Sequence, residues 1–150
     1  MRNNIMIGKK CIKIALLSLN ILLIINQNCL ANEKETKIIA MVIASESASE
    51  GILGMTAVAC VIANRARAQH KTPYQIVIAK KQFYGYTAKN RHKLYLQVKR
   101  QADELAARII SLRDITEGAL FYENVEHFGF PKWAKSKKIT VKIKHHTFFR

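Results

Sequence analysis

Between residues 36 and 69 apolar side chains return every three or four positions, and the pattern breaks only once. Ile38, Ile39, Val42 and Ile43 form one face of a helix over 36–47, with Thr36 as its candidate N-cap. The polar, Ser-rich segment 45–50 then interrupts it. A second helix begins near Ser49 or Glu50 and runs to about Gln69, with Ile52, Met55, Val58, Ala59 and Ile62 recurring at helical spacing. Two such stretches in succession demand a mainly helical core. Gly51 and Gly54 fall in the first turns of the second helix. Each weakens it by roughly 1 kcal/mol relative to Ala, so the pair marks a close approach of another segment or a ligand.

The rest of the chain divides by the same logic. Pro73 opens a new segment with the short apolar stretch Ile76, Val77, Ile78, followed by an aromatic, polar loop over 81–90. Leu94, Val98, Leu105, Ile109 and Ile110 predict a third helix over about 91–112. Residues 118–124 read as a strand and 125–136 as a loop. Over 139–149, Ile139, Val141 and Ile143 alternate with Lys142 and Lys144, the period of a half-buried strand. The expected class is therefore α+β, mainly helical, with a small two-stranded C-terminal β-ribbon.

The first 31 residues read as a leader rather than part of this domain. Arg2, Lys9, Lys10 and Lys13 precede a run from Ile14 to Ile25 broken only by Ser18 and Asn20, and Cys29-Leu30-Ala31 supplies small residues before a cut. That is the pattern of a secretory signal peptide. The apolar run is too short for a spanning helix, which needs about 20 residues, so no stable membrane anchor is expected once the leader is cleaved. Residues 32–150 then form the domain and carry 21 Lys and Arg against ten Asp and Glu, a net charge of +11. Such a charge calls for an anionic partner. Export favours peptidoglycan or another anionic envelope polymer over nucleic acid. Cys60 is the only cysteine after the leader, which excludes an intrachain disulfide there, and it reads as a small buried apolar residue.

Glu46 and Glu50 are the first candidates for chemistry. Glu46 lies where a strongly apolar helix should end and is partly desolvated by what packs there. Burial favours the neutral form of an acid, and a glycosidase general acid must still hold its proton near neutral pH. The competing reading of Glu46 is a solvated helix-end acid. Glu50 reads better as an acid in the first turn of the next helix, where negative charge is favourable. His127, His145 and His146 would be the zinc set of an amidase, but neighbouring strand residues point to opposite faces, so His145 and His146 are poorly placed to share a metal. No metal and no cofactor is expected. Phe83, Tyr84, Tyr86, Phe121, Tyr122, Phe128, Phe130, Trp133, Phe148 and Phe149 lie outside the helical stretches, most of them expected in a small core and the rest free to stack on sugars.

Taken together, these residues resemble the SleB-type, spore-cortex-lytic cell wall hydrolases. The stretch from Glu46 through Glu50, Gly54, Ala57, Val58, Ala59, Val61, Ile62 and Asn64 to Arg65 is similar to that family's E-A-R-G-E-P-x-E-G-x-x-A-V-A-x-V-I-x-N-R pattern. Gln82-Phe83, then Gly118-Ala119 with Phe121, Tyr122 and Asn124, then Pro131 and Trp133, and finally Ile143, His146, Phe148 and Phe149 resemble its later blocks in order. The resemblance spans about 37–150. It implies a lysozyme-like catalytic domain that cuts peptidoglycan between N-acetylmuramic acid and N-acetylglucosamine, as a lytic transglycosylase with Glu46 as general acid and base. By position it makes Glu50, Gln82, Tyr122, Asn124 and His146 substrate-binding or supporting residues. The chain departs from the pattern at Ser47-Ala48-Ser49, where the family has Ala-Arg-Gly, at Gly51 for Pro, at Val125 for Pro, and at Lys144 for Gly. The alternatives are a non-catalytic basic peptidoglycan-binding protein and a zinc-dependent peptidoglycan amidase.

Overall fold

A computed structural model describes residues 32–150. The predicted leader, 1–31, lies outside them. Glu35–Arg150 form one compact unit, which holds the core and the cleft described below.

The first helix, α1, covers 32–47. Thr36 therefore lies inside it and does not cap it. A 3-10 turn, Ala48–Glu50, makes the expected break, and α2 follows as Gly51–Gln69. Gly51 joins the two at φ 67°, a left-handed conformation that glycine adopts freely and proline cannot reach.

Helix α2 is the centre of the domain. Met55, Val58, Ala59 and Ile62 pack on one side with α1, on α3 (Pro73–Ile78) and on α5 (Lys99–Ala107). On the other side Ala57 and Val61 meet Ala119, Ile143 and Phe148 of the sheet region. The helix is thus buried on two faces, where periodicity predicted one, and Ile52, assigned to that face, is half exposed. Helix α3 starts from a capping box: the Thr72 hydroxyl accepts from the Gln75 N–H and the Gln75 side chain accepts from the Thr72 N–H.

The predicted helix 91–112 is two helices, α4 (Arg91–Gln97) and α5, followed by a 3-10 turn, Ile109–Ser111. The break at Val98 has a visible consequence. The Tyr95 hydroxyl donates to Asp103 Oδ1 at 2.9 Å. In an unbroken helix residues eight apart are separated by about 12 Å along the axis, beyond such a bond. Past the break Ile110 is exposed, not core.

The C-terminal ribbon has three strands, not two: β1 (Phe121–Glu123), β2 (Ile139–Ile143) and β3 (His146–Phe149), antiparallel in the order β1-β3-β2. The stretch read as one strand folds back at Lys144, which takes φ 55° where the family pattern has glycine. Phe121 then stands opposite Phe149, Tyr122 opposite Phe148, and Ile143 opposite His146. A short helix, α6 (Val125–Phe128), leaves the end of β1, capped by the Asn124 side chain. Phe83, Phe148 and Phe149 are buried, but Tyr84, Phe128, Phe130 and Trp133 are exposed, so fewer of the aromatic rings are core than composition suggested.

Candidate active site

Glu46 sits in the last turn of α1. Its carboxylate is held from two sides. Oε1 accepts from the Gly85 backbone N–H at 2.5 Å, and Oε2 accepts from the Tyr122 hydroxyl at 2.7 Å. These partners lie 39 and 76 residues away in sequence. The loop 81–90 and strand β1 therefore fix one carboxyl group on a helix end. A Cβ on Gly85 would fall 2.9 Å from Glu46 Oε1, so only glycine lets the loop backbone approach this closely.

Around this carboxylate opens a cleft of about 410 Å³ lined by Ser45, Arg65, Gln82, Tyr84, Tyr122, Glu123, Asn124, Phe128 and His146. Of the residues marked by sequence, Glu46, Gln82, Tyr122, Asn124 and His146 come together here. Glu50 does not line it.

Burial raises the Tyr122 phenol well above its ordinary value, and the Glu46 charge adds to this, so the hydroxyl keeps its proton. The ring of His146 stands edge-on to Tyr122 at 5.0 Å. Burial also lowers the His146 imidazole against the pull of Glu50 and Glu46, which keeps it neutral. Its Nδ1 is buried without a hydrogen-bond partner among the described residues, as is the Ser45 hydroxyl. Gln82 and Asn124 are held from behind: the Gln82 side chain accepts from Arg65 Nη1 at 3.2 Å, and the Asn124 side chain accepts from the His127 N–H at 3.0 Å.

Arg65, Ser45, Gly85, Tyr84, Glu123 and Phe128 were not singled out as site residues. Arg65 closes the quoted Asn64-Arg65 end of the α2 motif, which was the available signal. It donates to the Leu120 carbonyl at 2.6 Å and lies over the Phe83 ring at 4.8 Å. Burial lowers its guanidinium from the ordinary value, opposed by the nearby Tyr122 and Glu46. Glu123 brings a second carboxyl to the cleft, with Oε1 accepting from the Asn124 N–H.

Glu50 works behind the site. It is buried, and its carboxylate accepts the His145 N–H and faces His145 Nδ1, both at 3.1 Å, tying the β2–β3 turn to the start of α2. Gly54 makes room, since a Cβ there would overlap the Glu50 side chain at 2.1 Å. His145 and His146 accordingly point to different partners, one to Glu50 and one to the cleft. Burial pushes the Glu50 carboxyl up, but the backbone and side-chain hydrogen bonds from His145 bring it below its ordinary value. A depressed carboxyl stabilises the fold above its unfolded value, about pH 4.3, and loses that contribution as pH falls through the lowered one. Glu50→Gln is expected to cost about 1–3 kcal/mol at neutral pH and to flatten the acid limb of the stability profile. Chemical denaturation between pH 3 and 7 checks both.

A mainly helical domain closed by a small antiparallel sheet, with a clamped carboxyl group in the cleft between them, is a lysozyme-like catalytic domain. The profile of the Cell Wall Hydrolase family matches residues 49–149, and the chain belongs to that family, in its SleB-type branch. Glu46 falls just before the matched segment. The fold is similar to the catalytic domain of the Bacillus cereus SleB protein, with a TM-score of 0.65 and 26% identity over 79% of this chain and 91% of that one. It is also similar to the catalytic domain of the germination-specific lytic transglycosylase SleB from Bacillus anthracis, with a TM-score of 0.63 and 28% identity over 77% of this chain and 93% of that one. No curated protein sequence matches.

Proposed function

We propose that the protein cleaves peptidoglycan between N-acetylmuramic acid and N-acetylglucosamine as a lytic transglycosylase, with Glu46 serving first as general acid and then as base. The observation that carries this reading is the two-sided clamp on Glu46 at the cleft. The similarity to a lytic transglycosylase catalytic domain from Bacillus anthracis supports it. An envelope location belongs to the same proposal, since the substrate lies outside the cytoplasm and the leader-like segment 1–31 would deliver the chain there.

The clamp is asymmetric in a useful way. A backbone N–H can only donate, so Oε1 remains an acceptor in both protonation states. The acidic proton then belongs on Oε2. There the Tyr122 hydroxyl can donate to the carboxylate and, by rotating, accept from the acid. Glu46 thus keeps a hydrogen bond to each partner whether or not it carries the proton. In the forward step Oε2 gives its proton to the glycosidic oxygen as the C1–O bond breaks. The carboxylate then takes the proton of the muramic acid 6-hydroxyl as that oxygen closes on C1. The product is a 1,6-anhydro end, and no water is consumed.

Glu123 favours a second reading. A second carboxyl group on the cleft wall is what a hydrolase needs to activate water. Mass spectrometry of fragments released from purified peptidoglycan separates the two. Anhydro-muramic ends support the transglycosylase; reducing ends support hydrolysis through Glu123. Release of neither sinks both.

A further inference from the structure

A second hollow lies beside the Glu46 cleft. It measures about 550 Å³ and is lined by Ile78, Ala79, Lys80, Lys81, Phe83, Tyr84, Tyr86 and Thr87. The chain segment between the two hollows alternates sides. Gln82 faces the cleft, Lys81 and Phe83 line the second hollow, and Tyr84 borders both. The wall between them is therefore one chain thick, with the exposed Tyr84 ring as its crest. The floor is apolar, from Ile78, Ala79, Phe83 and Tyr86. Lys80 and Lys81 supply the only charges in the lining, both exposed, and neither pairs with an acid among the described residues.

We infer that this second hollow binds the anionic stem peptide of the muramic acid whose glycan backbone occupies the Glu46 cleft. The inference rests on the glycan reading of that cleft. The stem leaves the sugar ring through its lactyl ether, next to the bond being cut. An extended peptide advances about 3.3–3.6 Å per residue, so the first residues suffice to cross a wall one chain thick. Beyond it, alanine methyl groups meet the apolar floor, and the α-carboxylates of the peptide meet the two unpaired lysines. Neutral sugars would leave both ammonium groups without a counter-charge, which is why the peptide and not a further sugar is the occupant.

The test is an NMR titration of the protein with the free tetrapeptide L-Ala–γ-D-Glu–meso-diaminopimelate–D-Ala. Amide shifts are expected within 78–87. In the Lys80→Glu/Lys81→Glu double variant the affinity is expected to fall about tenfold as attraction becomes repulsion, with the rest of the spectrum unchanged. Glu46→Gln should bind the peptide as wild type does, so loss of the catalytic reading and loss of this one are read separately. Three results overturn the inference: no shifts at millimolar peptide, equal binding by the double variant, or shifts within 78–87 on adding chitotetraose but not on adding the peptide. The last would make the hollow a sugar subsite.

Discussion

Glu46→Gln is expected to lower the rate of glycan cleavage by about 10³-fold, within the span of 10²–10⁴ typical of lost general acid–base catalysis. The substitution is close to isosteric. The glutamine carbonyl can still accept the Gly85 N–H, and the amide can donate to the Tyr122 oxygen where Oε2 accepted its proton. The fold should therefore persist, with an unchanged melting temperature, while the titratable proton is gone. The companion variant is Glu123→Gln. With one carboxyl doing both proton transfers, it should keep its rate within about threefold, because its carboxyl would only border the sugar. Release of soluble muropeptides, measured per folded molecule, reads both. A full-rate Glu46→Gln overturns the catalytic assignment. Equal losses in the two variants move the mechanism to paired carboxyl groups and water.

The contrast between these glutamates shows what the chain made legible. Helices α1 and α2 were readable because burying one face imposes a period, and residues 38–43 and 52–62 carry it. The kink at Val98 was not, since Leu94, Val98 and Leu105 keep helical spacing through it and only the folded chain shows the bond from Tyr95 to Asp103 that the break allows. The third strand had left a trace. Apolar positions run Ile139, Val141, Ile143 and then shift parity to Phe148, which marks a turn between them. The cleft was legible only through side chains. Glu46, Gln82, Tyr122, Asn124 and His146 could be set in order by resemblance, but nothing local says that they meet. Glu123 escaped because its neighbour Tyr122 filled the motif position. Gly85 escaped for a deeper reason: it acts through a backbone N–H, which every residue but proline carries.

Gly85→Ala makes that hidden contribution measurable. Gly85 is not among the positive-φ glycines, so alanine meets no backbone obstacle there. The obstacle is the site itself. The new methyl carbon would stand 2.9 Å from Glu46 Oε1, 2.9 Å from Ser45 Cβ and 3.2 Å from Glu46 Cγ. Ser45 and Glu46 are consecutive on α1 and cannot both give way without moving the helix end, so the loop or the carboxylate must shift. Either movement stretches the bond from the Gly85 N–H and misplaces Oε2 against the glycosidic oxygen. A displacement near 1 Å costs about 10²-fold, and that is the expected fall in the rate at saturating soluble glycan. KM should change little, because Tyr84, Gln82 and Asn124 still line the cleft. If Gly85 merely shaped the loop, the melting temperature would fall and the rate per folded molecule would hold. The double variant Gly85→Ala/Glu46→Gln distinguishes the cases further. If Gly85 acts only by positioning Glu46, the pair loses no more than Glu46→Gln alone, since two residues serving one proton transfer are not additive. An additional hundredfold loss would give the 81–90 loop a role in the reaction independent of the carboxylate it holds.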